Sequence, residues 1–278
     1  MLKNFSHTEL TELVHIANAL RFDVIKMSSK AKSAHLGSCL SSMDILVALY
    51  FNILNLDASN PEDDARDIFI MSKGHAAMAL YAVLSKRGFF HKRELEKFNT
   101  DGSLLAEHPP AKGIPGVEAA TGSLGHGLPI AAGHALGIKL KSKSLISKNR
   151  VYALLSDGEN NEGSIWEAAM FASSNGLNNL TVFIDYNKWQ ATGRSEEIMN
   201  GHDLEARWKA FGWETYRING HNIKEILKVG SIRSNVPIAI LADTVKGKGV
   251  SFMEDDNNWH YRIPNAEEVE HAKAELGV

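Results

Sequence analysis

The chain has 278 residues, 44% of them hydrophobic and 23% charged, a composition ordinary for a soluble globular protein and incompatible with a largely disordered one. Lys and Arg number 30 against 33 Asp and Glu, so the net charge of −3 gives no electrostatic footprint for nucleic acid or an anionic membrane. A single cysteine, Cys39, excludes an intrachain disulfide and points to a reducing, cytoplasmic compartment; the N-terminal MLKNFSHTELTEL lacks the apolar core of a signal peptide, and no apolar stretch is long enough to span a bilayer.

In chain order, residues 8–29 carry helical periodicity, with Leu10, Leu13, Val14, Ala17 and Leu20 on one face. A second helix is predicted at 43–54, with Ser41 or Ser42 as its cap and Asp44 in its first turn. RDIFIMS (66–72) reads as a buried strand, 75–87 and 91–98 as helices, and 127–140 as an apolar Ala/Gly-rich helix. The second half alternates: strands at 151–156, 180–186, 213–218 and 237–244, and helices at 164–175, near 203–211 and at 223–230. Strands that are apolar at nearly every position and separated by helices predict an α/β fold, a parallel sheet with helices on both faces. No repeat, low-complexity tract or Pro/Ser-rich linker divides the chain, so a single domain is expected. Ligands of such sheets bind at the carboxyl ends of the strands.

Two strand ends carry chemistry. The strand 151–156 runs into Asp157-Gly158, and the strand 180–186 ends in Asp185-Tyr186-Asn187. The 30-residue spacing of Asp157 and Asn187 is about one βαβ unit, which brings both side chains to neighbouring strand ends. One carboxylate and one amide oxygen form a sparse, hard-oxygen set that suits Mg²⁺ completed by phosphate oxygens and water. The helix start near Gly163-Ser164 offers free N–H groups to an anion. Together these predict a diphosphate held by Mg²⁺. The competing reading is a plain Asp-Gly turn; the Asn187 strand end and the Glu162-Gly163 helix start weigh against it. G-S-L-G-H-G (122–127) has the wrong glycine spacing for a dinucleotide fingerprint, and there is no Walker-type phosphate loop.

S-D-G-E-N-N-E-G-S-I-W-E-A-A (156–169) followed by N-L-T-V-F-I-D-Y-N-K-W-Q (179–190) resembles the thiamine-diphosphate motif of the transketolase family. K-S-A-H-L-G (32–37), I-M-S-K-G-H-A (70–76), E-H-P (107–109), T-G-S-L-G-H-G-L (121–128), T-V-K-G-K-G-V-S-F-M-E (244–254) and W-H (259–260) extend the likeness over roughly 10–262, with the motifs in family order. The resemblance implies the diphosphate-binding domain of a thiamine-diphosphate enzyme over 1–278, with thiamine diphosphate and Mg²⁺ as cofactors. Carried over residue by residue, it implies Asp157, Asn187 and the Trp189 carbonyl as metal ligands. Gly158, Glu159, Asn187, His75 and His260 would contact the cofactor, with Gly122, Ser123 and Leu124 beside its aminopyrimidine. His35, His108 and His260 would face the reacting sugar, and Glu162 would join a carboxylate network linking two active sites. Imidazole suits this chemistry unaided, because its ordinary pKa allows protons to move on and off hydroxyls near neutrality.

Other residues stay open on sequence. His126 either packs or takes part; His134 reads as a helix contact; His7, His15, His91, His202, His221 and His271 read as surface or structural. Lys246 and Lys248 either cover phosphates or are solvated, and Cys39 reads as a packed thiol. Two departures from the family pattern stand out: Ser156 replaces its first glycine, and Trp189 an aliphatic residue. The chain ends at Val278, soon after W-H-Y-R-I-P. The family's pyrimidine-binding domain is therefore expected on a C-terminal partner subunit, in an α2β2 assembly acting on sugars or sugar phosphates by ketol transfer. The weaker alternatives are another thiamine-diphosphate enzyme, either a 2-oxoacid decarboxylating component or a deoxyxylulose-phosphate-type synthase, and a non-catalytic scaffold retaining the fold.

Overall fold

Ser6 opens the first helix with a capping box: its hydroxyl accepts from the Glu9 N–H while the Glu9 carboxylate accepts from the Ser6 N–H. This helix, α1 (His7–Ala31), is followed in the computed structural model, which describes residues 5–142, 149–199 and 203–278, by α2 (Leu36–Ser41) and α3 (Met43–Ala48). Strand β1 (Ile68–Met71), α4 (Ala77–Lys86), α5 (Gly127–Lys141), β2 (Val151–Ser156), α6 (Gly163–Ser174) and β3 (Leu180–Tyr186) come next. The chain ends with α7 (Ser195–Ile198), α8 (Leu204–Ala210), β4 (Glu214–Asn219), α9 (Ile223–Gly230), β5 (Ile238–Asp243) and α10 (Ala266–Leu276).

The five strands form one parallel sheet in the order β1-β2-β3-β5-β4, as the apolar strand pattern predicts. Alternate side chains feed two cores. Phe69, Met71, Tyr152, Leu154, Phe183 and Ile240 pack with α1, α3, α4 and α9; Ile70, Ala153, Leu155, Val182, Ile184 and Leu241 pack with α5, α6 and Trp208 of α8. Strands β1, β2, β3 and β5 are thus covered on both faces, which is why they read as continuous apolar runs, whereas the edge strand β4 is mostly half-buried.

Several local expectations are corrected. Val14 is 46% exposed, although Leu13, Ala17 and Leu20 of the same predicted face are buried. The predicted helix 43–54 is α3 continued by one π-helical turn over Leu49–Ile53. Neither Ser41 nor Ser42 caps it, because α2 runs directly into it; the Ser42 hydroxyl donates back to the Ser38 and Cys39 carbonyls, and that of Ser41 to Ser38 and Asp185. Residues 92–97 form a 3₁₀ segment rather than a helix over 91–98, with His91 Nδ1 accepting from the Arg93 N–H. Unread in the sequence were α2, α7 and α10, the last announced by a capping box of Asn265 and Glu268. His202 lies outside the described residues.

Gly74, just past β1, admits the loop that carries Thr121 and Gly122: a Cβ there would lie 2.6 Å from the Thr121 carbonyl. The obstacle is backbone, which cannot swing aside as a side chain would. We expect Gly74→Ala to cost about 1–3 kcal/mol in urea unfolding; an unchanged midpoint would show that this close approach is not made in solution.

Candidate active site

The carboxyl ends of β1, β2, β3 and β5 open onto one cleft of about 400 Å³. Its wall carries His35, His75, His108 and His260; its floor carries Ser156, Gly158 and Asn187; and Gly122, Leu124, Glu162, Trp189, Gln190 and Lys246 are among the other lining residues. Sequence separation hides this grouping, since the four histidines come from four loops. Ring centroids lie 5.3 Å apart for His35 and His75, 5.1 Å for His35 and His260, 6.3 Å for His35 and His108, and 6.0 Å for His75 and His260. His35 sits in the left-handed region (φ 69°), unusual for a side-chain-bearing residue, and its N–H donates to the His260 carbonyl at 2.7 Å.

Burial keeps three of these imidazoles neutral. It lowers the pKa of His35 against the opposing pull of Glu107, and it lowers His75 well below the ordinary value, with Lys73 adding to the effect. Burial, then the Lys246 charge, brings His260 from 6.5 to about 3. Neutral imidazoles both donate and accept, which is the property proton transfer with hydroxyl groups requires.

The floor is built on a buried pair. Lys73 Nζ lies 2.5 Å from Asp185 Oδ2 with both side chains fully excluded from solvent, and it also donates to the Ser38 carbonyl at 2.8 Å. Ser41 and Thr244 donate to the same carboxylate. Burial pushes Asp185 upward, but the adjacent ammonium and these hydrogen bonds outweigh it and hold the carboxyl below its usual range. Asn187 Nδ2 donates to Asp185 Oδ2 at 3.1 Å, which fixes the rotation of the amide, and its Oδ1 accepts from the Trp189 N–H at 3.0 Å. Lys73 and Asp185 were passed over in the sequence; an acid two residues before Asn187 and a lysine two before His75 were the available signals.

Asp157 stands one residue beyond the Ser156↔Asp185 register pair of β2 and β3, and Asn187 two residues beyond it. Asp157 accepts from the Gly158 N–H at 2.8 Å and the Ser195 hydroxyl at 2.9 Å. Burial, reinforced by the Asp185 charge, pushes its pKa up to about 7. A carboxylate in that position is relieved by a cation. Among the described residues, no three His, Cys, Asp or Glu side chains converge on a metal position. The donor set at Asp157 and Asn187 therefore suits an ion that takes its remaining oxygens from phosphate and water. The buried Gln190 Nε2 has no hydrogen-bond partner, and a Cβ on Gly158 would lie 3.0 Å from the Gln190 stem. An unpaired donor and a bare backbone thus face the end of the cleft where an anion fits.

Three residues implied as cofactor contacts lie outside this lining: Asp157, which is buried and lines a small neighbouring pocket with Asn160, Tyr186, Gln190 and Ser195, and also Glu159 and Ser123. Glu159 does not line the cleft, because its carboxylate is buried and engaged inside the chain. It accepts from the Ser72 hydroxyl at 2.6 Å, the Gly125 N–H at 2.8 Å and the Ser156 N–H at 3.2 Å, and so ties three loops together. Ser123 is exposed and outside the lining, between Gly122 and Leu124, which do line it. Glu162 faces the cleft and makes no side-chain hydrogen bond among the described residues. His126 is exposed beside the Leu124 carbonyl, and His134 is half-buried on α5. Lys248 pairs with Glu254 away from the cleft, whereas Lys246 is buried within its lining. His221 is structural: Nδ1 lies 2.8 Å from Asp44, and Nε2 accepts from the Val245 N–H.

The fold and the strand-tip site define an α/β protein built to hold a metal-bound diphosphate. Over residues 13–278 the chain matches the family described as transketolase, thiamine diphosphate binding domain, and it belongs to that family. It is 38% identical over 256 residues to one subunit of the apulose-4-phosphate transketolase of Phocaeicola vulgatus, covering 91% of this chain and 89% of that one. It is 39% identical over 246 residues to one subunit of the 6-deoxy-6-sulfo-D-fructose transketolase of a Clostridium species, covering 87% and 88%. Against human transketolase the identity is 38% over 255 residues, 91% of this chain but 40% of the longer one. The crystal structure of Campylobacter jejuni transketolase superposes with a TM-score of 0.90 at 30% identity, covering 99% of this chain and 43% of that one. The chain thus spans nearly the whole of the subunit relatives and about two-fifths of the longer transketolases. It is a transketolase-type, thiamine-diphosphate-binding subunit whose cofactor acts with a divalent metal ion.

Asp185→Ala leaves the Lys73 ammonium buried without its partner, and we expect a loss of about 3–5 kcal/mol in urea unfolding, partly recovered by adding Lys73→Met. His260 gives a pH signature. Its folded pKa of about 3 lies below the ordinary 6.5, so the unfolded chain binds the extra proton between those values. The wild type should therefore lose stability relative to His260→Gln as the pH falls from 6.5 toward 3, and show no such trend above 6.5. Unfolding midpoints of the two proteins across that range would decide it, and a flat difference would contradict the buried neutral imidazole.

Proposed function

We propose that this chain is the cofactor-binding subunit of an enzyme that transfers a two-carbon ketol unit from a ketose or ketose-phosphate donor to an aldose acceptor. The observation that carries this reading is the wall of four imidazoles, three of them held neutral by burial and all within ring-contact distance of His35, in the cleft that Asn187 also lines. A ketose donor and an aldose acceptor each bring hydroxyl and carbonyl oxygens that must be held and must exchange protons. A small 2-oxoacid gives such a wall far less to do, and a scaffold has no use for it.

In this reading the whole chain, 1–278, forms one thiamine-diphosphate- and Mg²⁺-binding unit. Asp157, Asn187 and the Trp189 carbonyl hold Mg²⁺, and Gly158 and Asn187 meet the diphosphate beside the unpaired Gln190 amide. His75 stands on the diphosphate or thiazolium side, and Gly122 and Leu124 approach the aminopyrimidine through backbone. When bound, thiamine diphosphate supplies a nucleophilic carbon and an electron sink for cleaving the bond beside a ketone. The chain's own residues do the rest. His35, His108 and His260 bind and orient sugar oxygens, with proton donation and acceptance divided among the imidazoles of the wall, and the walls of the cleft exclude water from the reacting atoms.

Relatives of nearly the same length, each named as one lettered subunit of a transketolase, support a second polypeptide. We assign to it the pyrimidine-binding domain, with its activating carboxylate, in an α2β2 assembly. The exposed Glu162 carboxylate is then available for a network across that interface. The buried, free Cys39, its thiol pushed up to about 12 by burial, fits a reducing cytoplasm. No helix among the described residues is long and apolar enough to cross a membrane.

The test is product analysis with the companion subunit, thiamine diphosphate and Mg²⁺, comparing a ketose phosphate plus an aldose phosphate with pyruvate plus an aldehyde. Ketol transfer in the first mixture is the expected result. Turnover only in the second would overturn the reading, and full turnover by the chain alone would overturn the partner requirement. We expect Asp157→Ala to abolish calorimetrically measured binding of the cofactor with Mg²⁺. His35→Ala should retain that binding while kcat falls by about 10²–10⁴-fold.

A further inference from the structure

We propose that Lys246 is a positioning residue for His260: its ammonium holds the imidazole as the Nε2–H tautomer, so that His260 offers the cleft a hydrogen-bond donor rather than a base. The functional consequence rests on the ketol-transfer reading of this cleft; the tautomer itself does not.

The geometry leaves little choice. Lys246 Nζ lies 3.1 Å from His260 Nδ1 and 2.7 Å from Asn257 Oδ1. Asn257 is itself oriented, because its Nδ2 donates to the Ala191 carbonyl at 3.1 Å and turns Oδ1 toward the lysine. A protonated lysine has three donors and no acceptor. The His260 nitrogen that faces it must therefore be the one bearing the lone pair, and a neutral imidazole with its lone pair on Nδ1 carries its proton on Nε2. Among the described residues, Nε2 has no hydrogen-bond partner within the chain, and the ring belongs to the cleft lining.

The lysine is held in place rather than merely nearby. It is 2% exposed, and a Cβ on Gly37 would lie 3.0 Å from its Cγ and 3.3 Å from its Cε, so the stem runs against a residue with no side chain. The Gly247 N–H donates to the Gly37 carbonyl at 3.0 Å and fixes the loop from which Lys246 projects. The imidazole is pinned as well, edge-on to His35 at 5.1 Å and to Tyr261 at 4.7 Å. Burial lowers Lys246 to about 8, which leaves it charged at neutral pH, while His260 stays singly protonated.

An Nε2–H donor stabilises negative charge developing on a substrate oxygen and cannot take a proton from it. Base duty then falls to another imidazole of the wall. The sequence could not divide these roles, because the three sugar-facing histidines differ only in what stands behind them.

The test is a multiple-bond proton–nitrogen NMR spectrum of the full chain carrying ¹⁵N-labelled histidine at pH 7, with His260 assigned by the signal missing in His260→Gln. We expect a protonated Nε2 and an unprotonated Nδ1 in the wild type. In Lys246→Met the ratio of Nε2–H to Nδ1–H should fall about tenfold or more. Lys246→Arg, also purely a donor, should keep the wild-type pattern. A wild-type ring protonated at Nδ1, or at both nitrogens, overturns the proposal, as does an unchanged spectrum in Lys246→Met. The wild-type spectrum decides between the tautomers whatever the yield of the variants. It is read without cofactor, companion or turnover, so an error in the assigned reaction would leave the result standing.

Discussion

The ion pair of Lys73 and Asp185 is the constraint on which the rest of the cleft depends. A lysine with no solvent access beneath a cleft is costly unless its charge is answered at contact distance, and here one carboxylate answers it while accepting from three further groups. Those donors come from different parts of the chain: Ser41 from α2, Asn187 from the β3 tip, and Thr244 from the β5 tip, with Lys73 itself from the β1 tip. The pair therefore does more than neutralise itself. It sets the relative heights of three strand ends and fixes the rotation of the Asn187 amide. Were that amide to turn over, it would present N–H groups where an oxygen is wanted for a cation.

A second tie stands on the other side of β2. Glu159 gathers Ser72, Gly125 and Ser156 onto one buried carboxylate, and Asn160 braces the same turn by donating to the Ser156 carbonyl and accepting from the Trp208 indole. The motif S-D-G-E-N-N is thereby split in function. Its Gly158 lines the cleft and Asp157 is held just beneath by the Gly158 N–H and the Ser195 hydroxyl, while Glu159 and Asn160 hold the turn in shape. A rigid floor of this kind preorganises the site and keeps the reorganisation on ligand binding small.

Much of this was legible in the sequence, and the limits have physical causes. The parallel sheet was readable because every strand but the edge strand β4 is buried on both faces, so that VYALLS and LTVFIDY carry no alternation. The strand-tip oxygens of Asp157 and Asn187 were readable because βαβ spacing alone brings neighbouring strand ends together. That the Glu159 carboxylate turns inward was not readable, because adjacent residues in a tight turn point in different directions and spacing does not say which faces the cleft. Lys73 and Asp185 were missed for a related reason: their partners lie in distant segments, and nothing local marks a lysine as buried. The bounds of the helix at 43–54 were legible, but its serine cap was not realised, because α2 runs straight into α3 and makes such a cap unnecessary. Lys246 was left open between phosphate and solvent, and only the packing against Gly37 places it inside the cleft.

Trp189 carries the argument one step further. Its side chain serves a tie of its own. Here the indole N–H donates to Asp255 at 2.8 Å, and the Arg194 guanidinium stacks 3.7 Å above the ring while binding both oxygens of the same carboxylate. Arg194 and Asp255 are partly exposed, so the ion pair alone contributes at most about 1 kcal/mol. Stacking on tryptophan adds a further increment of about 0.5–1 kcal/mol. What the arrangement secures is registration. Lys188 and Asp255 both sit at positive φ, and the strap joins the turn behind Asn187 to the turn that leads into Asn257 and His260. Asn257 extends the link by donating to Ala191 and accepting from Lys246. A displacement of the turn behind Asn187 would thus be felt at the Lys246 ammonium beside His260. That turn and the histidine wall of the cleft are mechanically one piece because the large aromatic side chain at position 189 ties them together.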